Sequence, residues 1–268
     1  MKVRVAAIQM VSAVEVPVNL AAAERLIAEA AAQGARLAAL PENFYLIGRH
    51  EGDKVKARER DGNGPIQDFL AQAAQRHKLW LLAGTVPLEC ADAGRIRSAS
   101  LLYDDAGRRV ARYDKMHLFR FDGEGNERYD EARTLEPGAR AVAVSSPFGR
   151  LALSVCYDVR FPELYRSLGE FDLMFVPSAF TAPTGRAHWE ILLRARAVEN
   201  QAYVVAPAQG GLHASGRRTY GHTMIVDPWG EVLAERAEGE GVVLADIDGG
   251  RLSEVRAALP ALVNRRLS

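Results

Sequence analysis

The stretch LALSVCYDVRFPELYRSL, residues 151–168, carries the reading of the fold. Residues 151–156 form an apolar run of strand length, and residues 161–168 read as a helix with Pro162 at its start, where a missing N–H costs nothing. Downstream the alternation continues with a strand at 173–177, a long helix at 186–200 and a strand at 202–206. Residues 223–226 and 231–235 then flank the turn Asp227-Pro228-Trp229-Gly230, residues 242–247 close the sheet, and 252–259 form a terminal helix. Upstream the same order is already present. A strand at 3–10 precedes a helix at 19–33, with Leu20, Ala23, Ile27 and Ala30 on one face and Gly34 as its stop. A short strand at 37–40, a helix at 65–77 and a strand at 79–88 follow, then a hairpin of 96–103 and 109–113 around Asp104-Asp105-Ala106-Gly107. Residues 51–63 are charged and read as a loop around part of a helix.

Each half thus runs strand, helix, strand, helix, strand, hairpin. Two such halves make two sheets, each with an outer face that helices must cover. The expected fold class is α/β, a four-layer α-β-β-α sandwich with internal pseudo-duplication. No linker rich in Pro, Gly or Ser divides the chain, so residues 1–268 are expected to form a single domain.

Composition narrows the function classes. Of the 268 residues 48% are apolar, which excludes a disordered chain, and 34 basic residues balance 34 acidic ones, so a basic footprint for nucleic acid is missing. No apolar run reaches the roughly 18 residues of a membrane span. The opening MKVRVAAIQMVSAVEVPV looks like a signal peptide only until Gln9 and Glu15 interrupt it; a first strand is the better reading, and the cytoplasm the expected compartment. Two cysteines without a CxxC spacing argue against a disulfide framework or a zinc site. With 29 Arg against five Lys, each lysine is worth examining.

Cys156 ends its strand just ahead of a helix, at the carboxyl edge of a sheet where α/β enzymes place their sites. Helix N-terminal amides there would favour a thiolate and supply an oxyanion donor; a buried, inert thiol is the alternative. Cys90, beside Glu89 and Asp92, reads as structural. A thiol nucleophile needs a base and charge stabilisation. Six histidines, His50, His77, His117, His188, His213 and His222, leave a Cys-His acyltransferase or protease open. Glu42, after Pro41 at a strand end, competes as the base, against a cap or turn role. Lys115, in RYDKMHLF, competes as the cation, against a surface pair with Asp114.

PENF (41–44), YDKMHLF (113–119) and SVCYDVRFPELY (154–165), in that order, resemble the nitrilase superfamily of carbon–nitrogen hydrolases. The resemblance runs through PSAF (177–180), AHWEILLRARAVENQAYVVAPAQ (187–209) and YGHTMIVDPWGEV (220–232), words that look like the Nit-type amidases. It implies a four-layer sandwich, with Glu42 as general base, Lys115 as stabiliser of the intermediate and Cys156 as nucleophile, and neither metal nor organic cofactor. A second glutamate positions substrate in that family; YDEARTLEPG (129–138) places it at Glu131, with Glu124 and Glu127 nearby. The implied reaction is attack of Cys156 on an amide carbon and hydrolysis of the resulting thioester, the oxyanion being held by Lys115 and the backbone N–H of Tyr157.

The implied partners are a small-molecule amide and a second copy of the chain, a homodimer formed through the helix after the nucleophile and the later long helix. A non-catalytic scaffold on this fold would have lost a member of the Glu-Lys-Cys set, and none is lost. The substrate implied by the branch is a small acidic carboxamide. AQGGLH (208–213) favours deaminated glutathione over 2-oxoglutaramate. A buried carboxylate needs a cation, and Arg160, four residues past Cys156, is the nominee, against a structural pair with Asp158 or a dimer contact. Trp189, Leu192 and Leu193 read as core, and His188 as structural.

Overall fold

Two sheets organise the chain, and the computed structural model describes residues 2–122 and 128–267 of it. In chain order the first elements are β1 (Lys2–Gln9), α1 (Val16–Ala32), β2 (Leu37–Ala39), α2 (Asp53–Lys56), α3 (Pro65–His77), β3 (Trp80–Leu82), β4 (Val86–Glu89), β5 (Ile96–Tyr103) and β6 (Arg109–Asp114). A short pair, β7 (Arg120–Asp122) and β8 (Arg128–Asp130), leads to β9 (Val142–Ser146). The second series is β10 (Gly149–Leu153), α4 (Pro162–Ser167), β11 (Leu173–Phe175), α5 (Ala182–Asn200) and β12 (Tyr203–Ala206). It continues with β13 (Gly210–Leu212), β14 (Arg218–Tyr220), β15 (Thr223–Val226), β16 (Val232–Arg236), β17 (Gly241–Asp248) and α6 (Gly249–Ala258).

The first sheet has the order β17-β1-β2-β3-β5-β4, with β6 also on β5; the second has the order β16-β15-β12-β11-β10-β9. In each, three parallel strands are followed by an antiparallel hairpin, as the duplicated element order requires. Periodicity does not reveal the edges. β17, the last strand of the second half, pairs antiparallel with β1, and β9, the last strand of the first half, pairs antiparallel with β10. Each half therefore lends its final strand to the other half's sheet. The segment at 242–247 does close a sheet, but the first one.

Burial explains the layers. Along β1, Val3, Val5 and Ala7 join the core between the sheets, whereas Ala6, Ile8 and Met10 pack with Leu26 and Ile27 of α1 and Leu70 of α3. Period-two alternation sends successive side chains to opposite faces; Lys2 and Arg4 are exposed at the start of β1, and from Val5 onward both faces are dry, so residues 5–8 read as a continuous apolar run. The second sheet is covered by α4 and α5 through Leu164, Tyr165, Trp189 and Leu193, each buried side chain contributing roughly 1.5–3 kcal/mol.

Four expected elements change their bounds. The apolar run at 79–88 is broken into β3 and β4 at Gly84, whose φ is +62° and whose missing Cβ would stand 2.0 Å from the carbonyl oxygen of Pro41. Only glycine tolerates both conditions. Helices α1 and α5 begin three and four residues earlier than expected, each with proline in its first turn. The strand ahead of Cys156 ends at Leu153, and residues 156–160 form a tight 3-10 turn ahead of α4. Among the described residues no helix is long and apolar enough to cross a membrane.

Candidate active site

Three strand ends converge. After β2 the chain turns at Pro41; Asn43 adopts a left-handed φ of 56° and donates its N–H to Thr85 Oγ1 at 2.9 Å, which seats Glu42 beside the break at Gly84. Gln209 Nε2 donates to the Glu42 carbonyl at 3.1 Å from the other half. Lys115 follows β6; its N–H donates to Ser98 and its carbonyl accepts from Gly138, at 3.0 and 2.8 Å. Cys156 sits at φ 50°, a left-handed conformation uncommon for a residue with a Cβ, and its N–H donates to Pro177 O at 2.9 Å.

The three groups meet in the interior. Lys115 Nζ donates to Glu42 Oε1 at 2.9 Å and to Glu131 Oε2 at 2.7 Å, and the lysine side chain is 1% exposed. An ammonium has three protons, so these two bonds leave a third to donate. Glu131 Oε2 also accepts the Phe119 N–H at 2.7 Å, which fixes the carboxylate's orientation. Lys115 is thus no surface partner of Asp114, which instead pairs with Arg112. Glu124 and Glu127 lie outside the described residues.

Burial and charge set the protonation states. Burial pushes the Lys115 ammonium down, but Glu131 and Glu42 outweigh it and hold the group well above its ordinary value. Burial pushes Glu42 up, and Lys115, by charge and hydrogen bond, reverses the sign and holds it below the usual carboxylate range. Cys156 goes the other way. Burial, then the Glu42 charge, raise its thiol above the ordinary value, and Lys115 only partly offsets them. Burial and Glu42 thus outweigh the neighbouring cation that would favour a thiolate, which suits a neutral thiol beside a carboxylate able to take its proton.

Glu42, Cys156, Glu131, Tyr157, Arg160 and Phe180 line a narrow recess of about 20 Å³, with Arg217 on its wall. Arg160 does not pair with Asp158. Asp158 is fully buried and accepts from Tyr113 Oη, the Val155 N–H and the His117 N–H, and bonds His117 Nδ1 at 2.7 Å, which rivets the Lys115 segment to the cysteine turn. Arg160 lies over the rings of Tyr157 and Phe180, 5.7 and 5.4 Å from their centroids, and contacts His188 Nδ1 at 3.3 Å. His188 thus supports the recess from behind. Trp189 and Leu193 are buried core residues; Leu192 is partly buried against the same core. Cys90 is half-buried and free.

Lys54 and Arg217 escaped the sequence reading. Both line a larger outer chamber of about 220 Å³ that shares Phe119, Glu131 and Arg217 with the recess. The rarity of lysine is the one sequence signal for Lys54; Arg217, one of 29 arginines, lies in the polar gap between AQGGLH (208–213) and YGHTMIVDPWGEV (220–232). Among the described residues no group of three or more His, Cys, Asp and Glu is arranged to hold a metal. A cavity of about 620 Å³ lies elsewhere, on the outer face of α5.

A carbon-nitrogen hydrolase sequence profile matches residues 4–257. The deaminated glutathione amidase of Synechocystis sp. is 44% identical over 265 residues, 97% of each chain. The human protein of that name is 40% identical over 268 residues, which cover 98% of this chain and 82% of the human one. Among solved structures, Nit3 of Saccharomyces cerevisiae, a member of branch 10 of the nitrilase superfamily, superposes with a TM-score of 0.87 at 30% identity, covering 99% of this chain and 97% of the yeast chain.

Proposed function

Because the chain belongs to the carbon–nitrogen hydrolase family, we propose that it is a cysteine-dependent amidase that cleaves a small acidic carboxamide, with deaminated glutathione as its substrate. The observation that carries this reading is the buried Lys115 ammonium, bridging Glu42 and Glu131 within electrostatic reach of the Cys156 thiol.

Glu42 takes the thiol proton as Sγ attacks the amide carbon, and the carbonyl electron pair moves onto oxygen. The third Lys115 proton and the Tyr157 N–H stabilise that oxyanion; one such donor is typically worth roughly 10²–10³ in rate. Collapse breaks the C–N bond while Glu42 delivers its proton to the departing nitrogen. Water, deprotonated by Glu42, then attacks the thioester; the acid leaves and Cys156 recovers its proton. Glu131 positions Lys115 and the substrate. Arg160 receives the carboxylate of the acyl part, its planar fork suiting a carboxylate.

No histidine is among the residues lining the recess, which weighs against a Cys-His acyltransferase or protease. The assembled Glu-Lys-Cys set weighs against a scaffold. The whole chain works as one domain, supported by the exchange of β9 and β17 between sheets. A homodimer is supported by the cavity on α5, bordered by Ile191, Val198 and Trp229, which are 68%, 45% and 55% exposed. Two free cysteines fit a reducing cytoplasm.

The test is a panel assay of amine or ammonia release. Deaminated glutathione should be turned over best, 2-oxoglutaramate second, and matched neutral amides poorly, because they leave Arg160 unpaired. Equal rates on acidic and neutral amides would remove the carboxylate argument. A strong preference for 2-oxoglutaramate would reverse the substrate order.

A further inference from the structure

Among the described residues, two guanidinium nitrogens are buried without a partner in the wall of the recess, Nε of Arg160 and Nε of Arg217. A buried donor left unpaired is costly, so each is poised for a ligand oxygen. Arg217 occupies a different wall from Arg160. It sits between β13 and β14, donates Nη2 to Ala179 O at 3.0 Å, lies 5.3 Å from the Tyr129 ring centroid, and borders both recess and outer chamber. Lys54, on α2, lines the same chamber, within electrostatic reach of Glu131, Arg217 and Glu42. Across the recess and the outer chamber, six cations (Lys54, Lys115, Arg160, Arg217, Arg49, Arg128) face four carboxylates (Glu42, Glu131, Glu51, Asp130), leaving two positive charges. An acyl-side carboxylate neutralises only one.

We infer that Arg217 and Lys54 form a second carboxylate subsite, in the outer chamber, for an acidic group carried by the leaving amine. The inference rests on the amidase reading and sharpens it. An amide that releases ammonia engages the inner cation alone. An amide whose leaving group is an amino acid or short peptide with a free carboxylate engages both, and the outer chamber, wider than the recess, gives that leaving group its room. The substrate class is therefore a dianionic amide with one carboxylate on each side of the scissile bond.

The test uses the purified protein and three amides of one acyl group: 2-oxoglutaramate, deaminated glutathione, and deaminated glutathione with its terminal carboxylate masked as the primary amide. Arg217→Met and Lys54→Met should each lower the ratio of kcat/KM for deaminated glutathione over 2-oxoglutaramate by about tenfold or more, mainly through KM. Masking the terminal carboxylate should cost the wild type a similar factor and the variants little more. Lys54→Met keeps the test valid if Arg217→Met does not fold. An unchanged ratio in Lys54→Met, with the masked substrate handled as well as the free acid, overturns the subsite while leaving the amidase intact. Equal losses on both substrates mean a merely structural role and overturn it too. If the wild type hydrolyses none of the three, the functional reading falls and the subsite with it.

Discussion

The two halves share a frame and differ in what stands at its strand ends. Ala7 pairs with Ala39 in the first sheet as Leu153 pairs with Phe175 in the second. Counted on by three residues from these pairs, Cys156 corresponds to Met10 and Glu42 to Ser178. Lys115, the residue after β6, corresponds to Ala237, the residue after β16. One set is the one we propose as reactive. The other is inert: Met10 is packed in the core, and the hydroxyl of buried Ser178 is spent on Val176 O at 3.0 Å. The proposed set is also split, its proposed nucleophile coming from the second half and its proposed base and cation from the first. The difference teaches that duplication supplied the scaffold, whereas the chemistry requires the two halves to be registered against each other.

The sharpest way to break the comparison is to make the Cys156 position as inert as Met10. Cys156→Ala should lower turnover by roughly 10⁴-fold or more, as loss of a nucleophile does elsewhere, with the melting temperature nearly unchanged. Cys90→Ala should retain most activity. Wild-type turnover by Cys156→Ala on a confirmed substrate would falsify the mechanism.

The next test removes what the first half contributes. Glu42→Gln keeps the shape and abolishes the base, and a loss of about 10²–10⁴-fold is expected. Lys115→Arg keeps the charge but cannot fit a planar fork between Glu42 and Glu131, so a loss of about 10²–10³-fold is expected. Near-normal kcat in either variant would place the chemistry in the second half alone.

A pH profile separates the two halves without mutation. The reactive form is the Glu42 carboxylate beside a neutral thiol. Glu42 lies below the usual carboxylate range because Lys115 overcomes its burial, so kcat/KM should hold on the acid side until that lowered value is reached. The raised thiol places any basic inflection of Cys156 above its ordinary value. A Cys-His pair would instead give an acid limb near the ordinary histidine value, about 6.5. Such a limb that survives in Glu42→Gln would contradict the assignment.

How much of this was legible depends on how far apart the interacting residues lie along the chain. Strand, helix and hairpin order could be read because each is local, and Glu42, Lys115 and Cys156 could be read because each sits in a distinctive word at a strand end. The exchange of β9 and β17 was hidden: β17 looks like any half-buried strand, and its partner is the opening strand of the chain, paired from Lys2↔Asp248 to Gln9↔Gly241. The Asp158 rivet was hidden for a similar reason, since the nearby Arg160 suggested a local pair while Tyr113 and His117 arrive from the other half. The balance at the thiol is not legible, because sequence shows the neighbouring charges but not the burial that outweighs them. Lys54 and Arg217 carry no periodic or motif signal at all; only the chamber between them gives them meaning.

The smallest effect concerns the clamp that holds the halves in register. His213, from the second half, bonds Ser12 O through Nδ1 at 3.0 Å and Thr219 Oγ1 through Nε2 at 2.8 Å, and the ring is 2% exposed. Ser12 Oγ in turn donates to Phe44 O and receives Gln209 Nε2, so this one imidazole is tied to the loop that carries Glu42. Burial, with the Arg217 charge adding to it, pushes His213 down to about 4 despite its bond to Ser12. Between its ordinary value of about 6.5 and about 4, the unfolded chain binds a proton that the folded chain does not. The stability contribution is therefore complete above about 6.5 and is lost progressively as pH falls to about 4, amounting to about 3 kcal/mol at most. His213→Gln removes the titration. Its melting temperature should be lower than wild type at neutral pH and should fall less steeply on acidification through that window. Parallel slopes for the two proteins would mean that the halves are held together by the exchanged strands alone, and that His213 reports on their junction without controlling it.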